Sequence, residues 1–157
     1  MKAIAVMKDP NNLKRSAQKI MWQPGSTTRM GVAYSIMSFQ DKRFSMDRLS
    51  LLSYIWDVAR PNNPERELKP PSAMTCLDFN PKQHDMIAAG CYNGLVTVFD
   101  LKQKRAASIG QSDIPTTHHD PVYDVKWINS KTGREFVSTA TDGRMLYWDI
   151  ANMTAPL

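Results

Sequence analysis

An aromatic residue followed by aspartate closes three β-capable runs in this chain. Trp56-Asp57 ends SYIWD, Phe99-Asp100 ends VTVFD and Trp148-Asp149 ends LYWD, at intervals of 43 and 49 residues. Self-similarity at a period of ~40–45 residues marks a repeat architecture. In such a fold one supersecondary unit cannot bury its own faces and must stack on its neighbours. This recurrence restricts the fold more than any bulk property of the sequence.

The last unit, His118–Asp149, is the clearest. Val122–Trp127 has the β-branched and aromatic content of a strand. Asn129–Arg134 is turn chemistry, Glu135–Ala140 is a second strand, Thr141-Asp142-Gly143 a hairpin signal and Arg144–Asp149 a third strand. The same order is expected twice more. A first unit runs Ala17–Trp22, Met30–Ser35 and Ser53–Asp57. A second runs Met74–Phe79, Asp85–Gly90 and Leu95–Asp100, with Asn93-Gly94 predicting a two-residue type I′ turn. Short outer strands are expected at Arg66–Leu68 and near Arg105–Ile109. Lys2–Met7 is a candidate outer or latch strand belonging to another unit. Phe39–Leu52 stands where a two-residue turn is expected. It reads as a long loop or as a short amphipathic partner-binding segment.

These units resemble WD40 repeats. The resemblance implies an all-β WD40 β-propeller, here a partial ring of about three blades. Its expected divisions are an outer strand over residues 1–10, blades at 13–57, 66–100 and 105–149, and a tail at 150–157. In WD repeats a histidine, a serine or threonine, an aspartate and the tryptophan form a buried hydrogen-bonded tetrad. By resemblance the third unit supplies all four as His118, Ser138, Asp142 and Trp148. The second has Pro70, Ala89, Asn93 and Phe99 at those places, and the first keeps Trp56 but has Leu13 at the histidine place. Losing all polar members together is physically coherent, because removing only one strands the others.

Several function classes find no support. There is no phosphate-cradling glycine loop, dinucleotide fingerprint or H-E-x-x-H. Adjacent His118 and His119 point to opposite sides of an extended segment and so do not converge on a metal. Cys76, Cys91 and His84 lack zinc-finger spacing, and the two cysteines read as buried thiols of a reducing compartment. No run approaches the ~18 apolar residues of a membrane span. We therefore expect no enzyme activity, no cofactor, no metal, no nucleic acid and no membrane. The net charge of +5 is uneven, with nine Lys/Arg against three Asp/Glu in the first fifty residues. Such an edge suits acidic protein, microtubule or nucleic acid, although a merely solvated edge is the commoner outcome. Partner-binding candidates are Tyr92, Asn93 and Thr141 in hairpin turns, with a basic rim of Lys102, Lys104 and Arg105. Ordinary turn chemistry and solvation account for the same residues.

Longer strings narrow the family. DPNNLKRSAQKIMWQP, GVAYS, SYIWDV, NPERELKPPSAMTCLDFNPKQHD, AAGCYNG, HHDPVYDVKWINSKTGREFVSTATDG and YWDI are similar to WD-repeat intermediate chains of axonemal outer-arm dynein. The similarity runs from about Ile4 to Leu157, weakest over Phe39–Leu52. It implies a scaffold that grips the tail of a dynein heavy chain and pairs with a second WD-repeat intermediate chain. The doublet microtubule is then met indirectly, in the axoneme of a cilium or flagellum, after assembly in the cytoplasm. Light chains are recruited in this family by an N-terminal extension, which lies outside the matched strings. A general cytosolic WD40 adaptor, such as a ubiquitin-ligase substrate receptor or a chromatin-associated binder, is the competing expectation. The strand triplets alone are equally compatible with it.

Overall fold

The computed structural model describes residues 5–36, 50–103 and 108–157. Every regular element among them is a strand. The first sheet contains β1 (Ser16–Trp22), β2 (Arg29–Ser35), β3 (Ser53–Asp57) and β4 (Arg66–Leu68). The second contains β5 (Met74–Phe79), β6 (Met86–Cys91), β7 (Val96–Asp100) and β8 (Ser108–Gln111). The third contains β9 (Val122–Trp127), β10 (Glu135–Ala140) and β11 (Met145–Asp149). Each is an antiparallel meander in chain order. The strands β1, β5 and β9 lie side by side across the three sheets. Lys19 on β1 reaches Asp124 on β9 at 3.2 Å, so these inner strands converge toward one axis. The architecture is a three-blade arc of a β-propeller.

The blades repeat in register as well as in strand order. Trp56 pairs with Met30, Phe99 with Ile87 and Trp148 with Phe136. The aspartates follow suit, opposite Arg29, Met86 and Glu135. All three aromatic rings are fully buried. Each inner strand also carries a bulge at the same step, which leaves Gln18, Thr75 and Tyr123 without a register partner. A bulge sharpens local twist, so its repetition sets each inner strand at a similar tilt.

Stacking follows from alternation along the strands. One face of the second strand is made small in the first two blades, with Gly31 and Ala33 on β2 and Ala88 and Gly90 on β6. Leu77, Phe79, Ile87 and Phe99 of the second blade press on the first blade against Ala33, Ile55 and Leu68. Val122, Val125, Trp127, Phe136 and Trp148 of the third press on the second against Cys76, Ala88, Val96 and Val98. Each large side chain so buried contributes about 1.5–3 kcal/mol. Polar contacts cross the same seams. Trp127 donates its indole N–H to the Asp78 carbonyl at 3.0 Å and its backbone N–H to the Asp78 carboxylate at 3.1 Å. Gln23 Nε2 donates to Asp85, and Asn80 Nδ2 donates to the Gly133 carbonyl.

Several local expectations need correction. Arg66–Leu68 pairs with β3 and Ser108–Gln111 with β7, so each outer strand belongs by hydrogen bonding to the sheet before it, not to the following unit. The repeat period gives the phase of the pattern but not where one sheet ends. Residues 5–10 form no strand; instead Met7 packs on the first blade. The expected latch therefore finds no ladder among the described residues, and residues 1–4 lie outside them. Tyr92-Asn93-Gly94 closes as a three-residue loop, with Gly94 N–H to the Cys91 carbonyl, Cys91 N–H to the Leu95 carbonyl and Gly94 at φ +85°. A type I turn followed by a left-handed glycine suits Asn-Gly as well as the expected two-residue turn. The edge at β11 is partly occupied. Asn152 bridges to Asp149, Leu157 N–H reaches the Tyr147 carbonyl, and Met153 inserts between the second and third blades. Most of the Phe39–Leu52 insertion lies outside the described residues.

The seam between the second and third blades has no slack. A Cβ on Gly90 would lie 2.4 Å from Val122 Cγ1 and 2.7 Å from Cys76 Sγ. Gly90→Ala is expected to cost about 1–3 kcal/mol by overpacking. The penalty should shrink in a Val122→Gly background, which removes both the Cγ1 and the Cβ contact, measured by urea denaturation as a double-mutant cycle. Strictly additive costs would show that the two sheets do not meet there.

Candidate functional site

The third blade brings His118, Ser138, Asp142 and Trp148 together. His118 enters just before β9, Ser138 sits on β10, Asp142 in the β10–β11 turn and Trp148 on β11. The Trp148 indole N–H donates to Ser138 Oγ at 2.8 Å, and Ser138 Oγ lies 2.8 Å from His118 Nε2. His118 Nδ1 lies 3.2 Å from Asp142 Oδ2. Because the carboxylate can only accept, Nδ1 carries the proton and Nε2 accepts from the serine hydroxyl. The chain of donors then has one direction, from indole through hydroxyl and imidazole to carboxylate. The carboxylate also accepts from the backbone N–H groups of His119 and Arg144 and from Arg144 Nε.

Serine, histidine and aspartate in this order have the connectivity of a hydrolase triad. Here the serine is sealed. Ser138 is fully buried, His118 is buried, and the Trp148 indole N–H already occupies an acceptor position of Oγ. The group has the character of a satisfied polar core that ties three strand segments together.

Burial lowers the His118 pKa, against the opposing pull of Asp142. For Asp142, burial acts upward but is outweighed by the N–H groups of Arg144 and His119, the Arg144 guanidinium and His118. Its carboxyl is held well below the usual carboxylate range. Burial pushes the thiols of Cys76 and Cys91 up to about 11 and about 12, so neither is a poised nucleophile. Among the described residues no three His, Cys, Asp or Glu side chains converge as metal ligands.

The other blades show what the tetrad replaces. Ala89 and Phe99 are buried and apolar in the second. Asn93 Oδ1 there accepts from Leu95 N–H as Asp142 Oδ1 accepts from Arg144 N–H, which is turn chemistry. In the first blade Val32 takes the serine place. The Trp56 indole N–H is accordingly buried with no partner among the described residues.

The partner-binding candidates do not form one surface. Asn93 and Thr141 are exposed and Tyr92 half-buried in turns at one end of the blades. The link at that end is direct, since Thr117 Oγ1 donates to the Gly94 carbonyl at 2.7 Å. Lys102 lies at the opposite end, where Leu101 N–H bonds the Asp85 carbonyl and Lys102 Nζ approaches Asp85 at 4.0 Å. Second-to-third-strand turns and third-to-fourth-strand loops alternate between the ends of a meander, so Lys102 does not share a face with Tyr92, Asn93 and Thr141. Lys104 and Arg105 lie outside the described residues.

Residues 5–111 match the family model described as the dynein axonemal intermediate chain 3 WD40 domain. The chain belongs to the WD40 family of axonemal dynein intermediate chains. It is 44% identical over 98% of its length to the 70 kDa intermediate chain of the flagellar outer arm of Chlamydomonas reinhardtii, covering 26% of that protein. Against dynein intermediate chain 3, ciliary, of Heliocidaris crassispina it is 42% identical over 99% of its length, covering 25% of that relative. The figures are the same for dynein axonemal intermediate chain 2 of Homo sapiens. The chain thus spans about a quarter of the length of the curated relatives it matches.

One residue of this intermediate-chain arc escaped the sequence reading. Arg15, counted there only toward a basic edge, is a buried hub with an almost fully covered side chain. It pairs with Asp9 through Nε and Nη2 at 2.8 and 2.9 Å, and donates Nη1 to the carbonyls of Ser50 and Leu52. No local pattern announces partners so far apart in the chain.

His118→Ala is expected to lower stability by roughly 1–3 kcal/mol, because Ser138 and Asp142 lose their shared partner. An unchanged denaturant midpoint would overturn that account. The pH response has a definite sign. The unfolded chain binds a proton on this histidine near pH 6.5, which the folded chain resists. Stability is full above that value and falls as pH drops from 7.5 to 5.5. Urea midpoints across this range should decline in the parent and decline less in His118→Gln.

Proposed function

We propose that this chain acts as a non-catalytic scaffold segment of an outer-arm axonemal dynein in a cilium or flagellum. The observation that carries the reading is its 44% identity, over nearly the whole chain, to a relative named as an intermediate chain of the flagellar outer arm. In this reading the propeller binds the tail of a heavy chain and a second WD-repeat intermediate chain, and motor activity resides in the heavy chain. The doublet microtubule is engaged through that assembly, which begins in the cytoplasm.

The physical features agree with such a role. Rigid stacked sheets present loops at two ends, and the serine–histidine–aspartate chain of the third blade is sealed inside it. The turn residues Tyr92, Asn93 and Thr141 offer one binding end and Lys102 the other, so two partners can be held without competing for one face.

Affinity capture with the tagged chain from a high-salt extract of axonemes tests the reading. The expected outcome is co-purification of the outer-arm heavy chain and the second intermediate chain. Capture of a ubiquitin-ligase core or chromatin proteins with no dynein heavy chain would overturn it. Charge reversal at Lys102 is expected to lower recovery of one of the two partners at least severalfold and leave the other unchanged, read by quantitative blotting.

A further inference from the structure

In each blade the aspartate after the third-strand aromatic is used locally. Asp57 Oδ1 accepts from Ala59 N–H at 3.0 Å, Asp100 Oδ1 from Lys102 N–H at 2.9 Å and Asp149 Oδ1 from Ala151 N–H at 2.9 Å. Each carboxylate so closes the turn that follows its own strand. These turns share one end of the arc with the β1–β2, β5–β6 and β9–β10 loops, because alternate connections of a meander fall on the same side. The other carboxylates of this end are committed too. Glu65 takes Arg29, Asp85 takes Gln23 Nε2, and Glu135 takes the hydroxyls of Ser130 and Thr132.

The cations of the same loops point into solvent. Arg60, Lys82, Lys102, Lys131 and Arg134 are exposed, whereas each of the six carboxylates is buried or half-buried. Ion pairing does not withdraw them, since the side chains of Arg60 and Lys102 stay 78% and 75% exposed beside Asp57 and Asp85. Positive charge also crosses both seams. Arg66 of the first blade donates Nη1 to the Gln103 carbonyl of the second at 3.1 Å, and Lys82 of the second donates Nζ to the Lys131 carbonyl of the third at 3.0 Å. The loops stand at strand ends, apart from the sheet faces on which one blade stacks on the next. The opposite end is mixed in sign, with Asp113 and Asp120 exposed as well as Lys69.

A cavity of about 210 Å³ opens on the basic end at the seam between the first two blades. Ile55 and Leu101 line it together with Glu65, Arg66, Asp85 and Lys102. Glu65 Oε2 is buried with no hydrogen-bond partner among the described residues. A ligand held here therefore brings an anionic group for Arg66 and Lys102 and a donor for the glutamate.

We propose that this end of the arc docks an acidic segment of a protein partner, with one carboxylate held by Arg66 and Lys102 and others met by Lys82, Lys131 and Arg134. The inference rests on the reading of the Lys102 end as a binding end, and adds the chemistry of what binds there. A polypeptide suits the site where a nucleic acid does not. Its main-chain N–H supplies the donor that Glu65 Oε2 lacks, which a phosphodiester does not carry. The loops of this end, residues 23–28, 58–65, 80–85, 101–107 and 128–134, also contain no Trp, Tyr or Phe on which bases would stack.

Fluorescence anisotropy of a labelled Glu-Gly repeat peptide, titrated with the purified chain, tests this. The peptide is expected to bind with an affinity that falls as salt rises. Lys102→Glu and Lys131→Glu should each weaken binding about tenfold. Lys69→Glu, which makes the same change in net charge at the opposite end, should leave it unchanged. Absence of binding, or an equal loss in all three variants, would overturn the proposal, as would tighter binding of a DNA duplex of matched charge. Urea midpoints equal to the parent's establish that the variants are folded. Where a glutamate unfolds the chain, Lys102→Gln and Lys131→Gln carry the same comparison with a smaller expected loss. Peptide binding without capture of dynein heavy chain from axonemes would sink the proposed assembly and leave this inference standing; heavy-chain capture without peptide binding would do the reverse.

Discussion

A β-sheet in water has two faces, and a blade of this size can satisfy only one of them from its own side chains. Everything in this arc follows from supplying the second. Small residues at Gly31, Ala33, Ala88 and Gly90 let one blade receive the large residues of the next, Phe99 and Trp148 among them. Where a neighbour is present the seam closes without a gap. In the first blade, Met7, Leu52 and Val58 pack on the cluster that holds Trp56.

Polar groups are arranged on the same principle. The tetrad of the third blade is complete, so each buried donor meets an acceptor. The second blade drops the polar members together, and Ala89 and Phe99 pack as an apolar replacement. The first blade keeps the indole without the serine, and its N–H is left without a partner among the described residues. These three outcomes span the options open to a buried network: satisfied, dissolved, or incomplete at a local cost.

Much of this was legible from residues alone, because the signals were periodic. Trp56, Phe99 and Trp148 mark successive third strands by their period, whereas the meeting of His118, Ser138, Asp142 and Trp148 was an expectation from the resemblance to WD40 repeats. What was not legible depends on geometry that period cannot carry. Arg66–Leu68 and Ser108–Gln111 pair with the preceding sheets, a choice of ladder that a sequence period does not specify. Asn93-Gly94 allowed two turn types, and the ladder selected the longer loop. Lys102 could not join Tyr92 and Thr141, because successive loops of a meander fall at opposite ends. Arg15 was unreadable because its acceptors and rings, from Asp9 to Tyr54, are dispersed through the sequence.

Each sheet is threaded in chain order, and among the described residues every ladder joins strands of one blade. The first sheet is fully specified once Leu68 has been made, and the second once Gln111 has been made. Ladder closure is therefore local, which favours rapid formation. The molecule is suited to vectorial acquisition of structure during translation, each finished meander offering a template on which the nascent chain condenses the next.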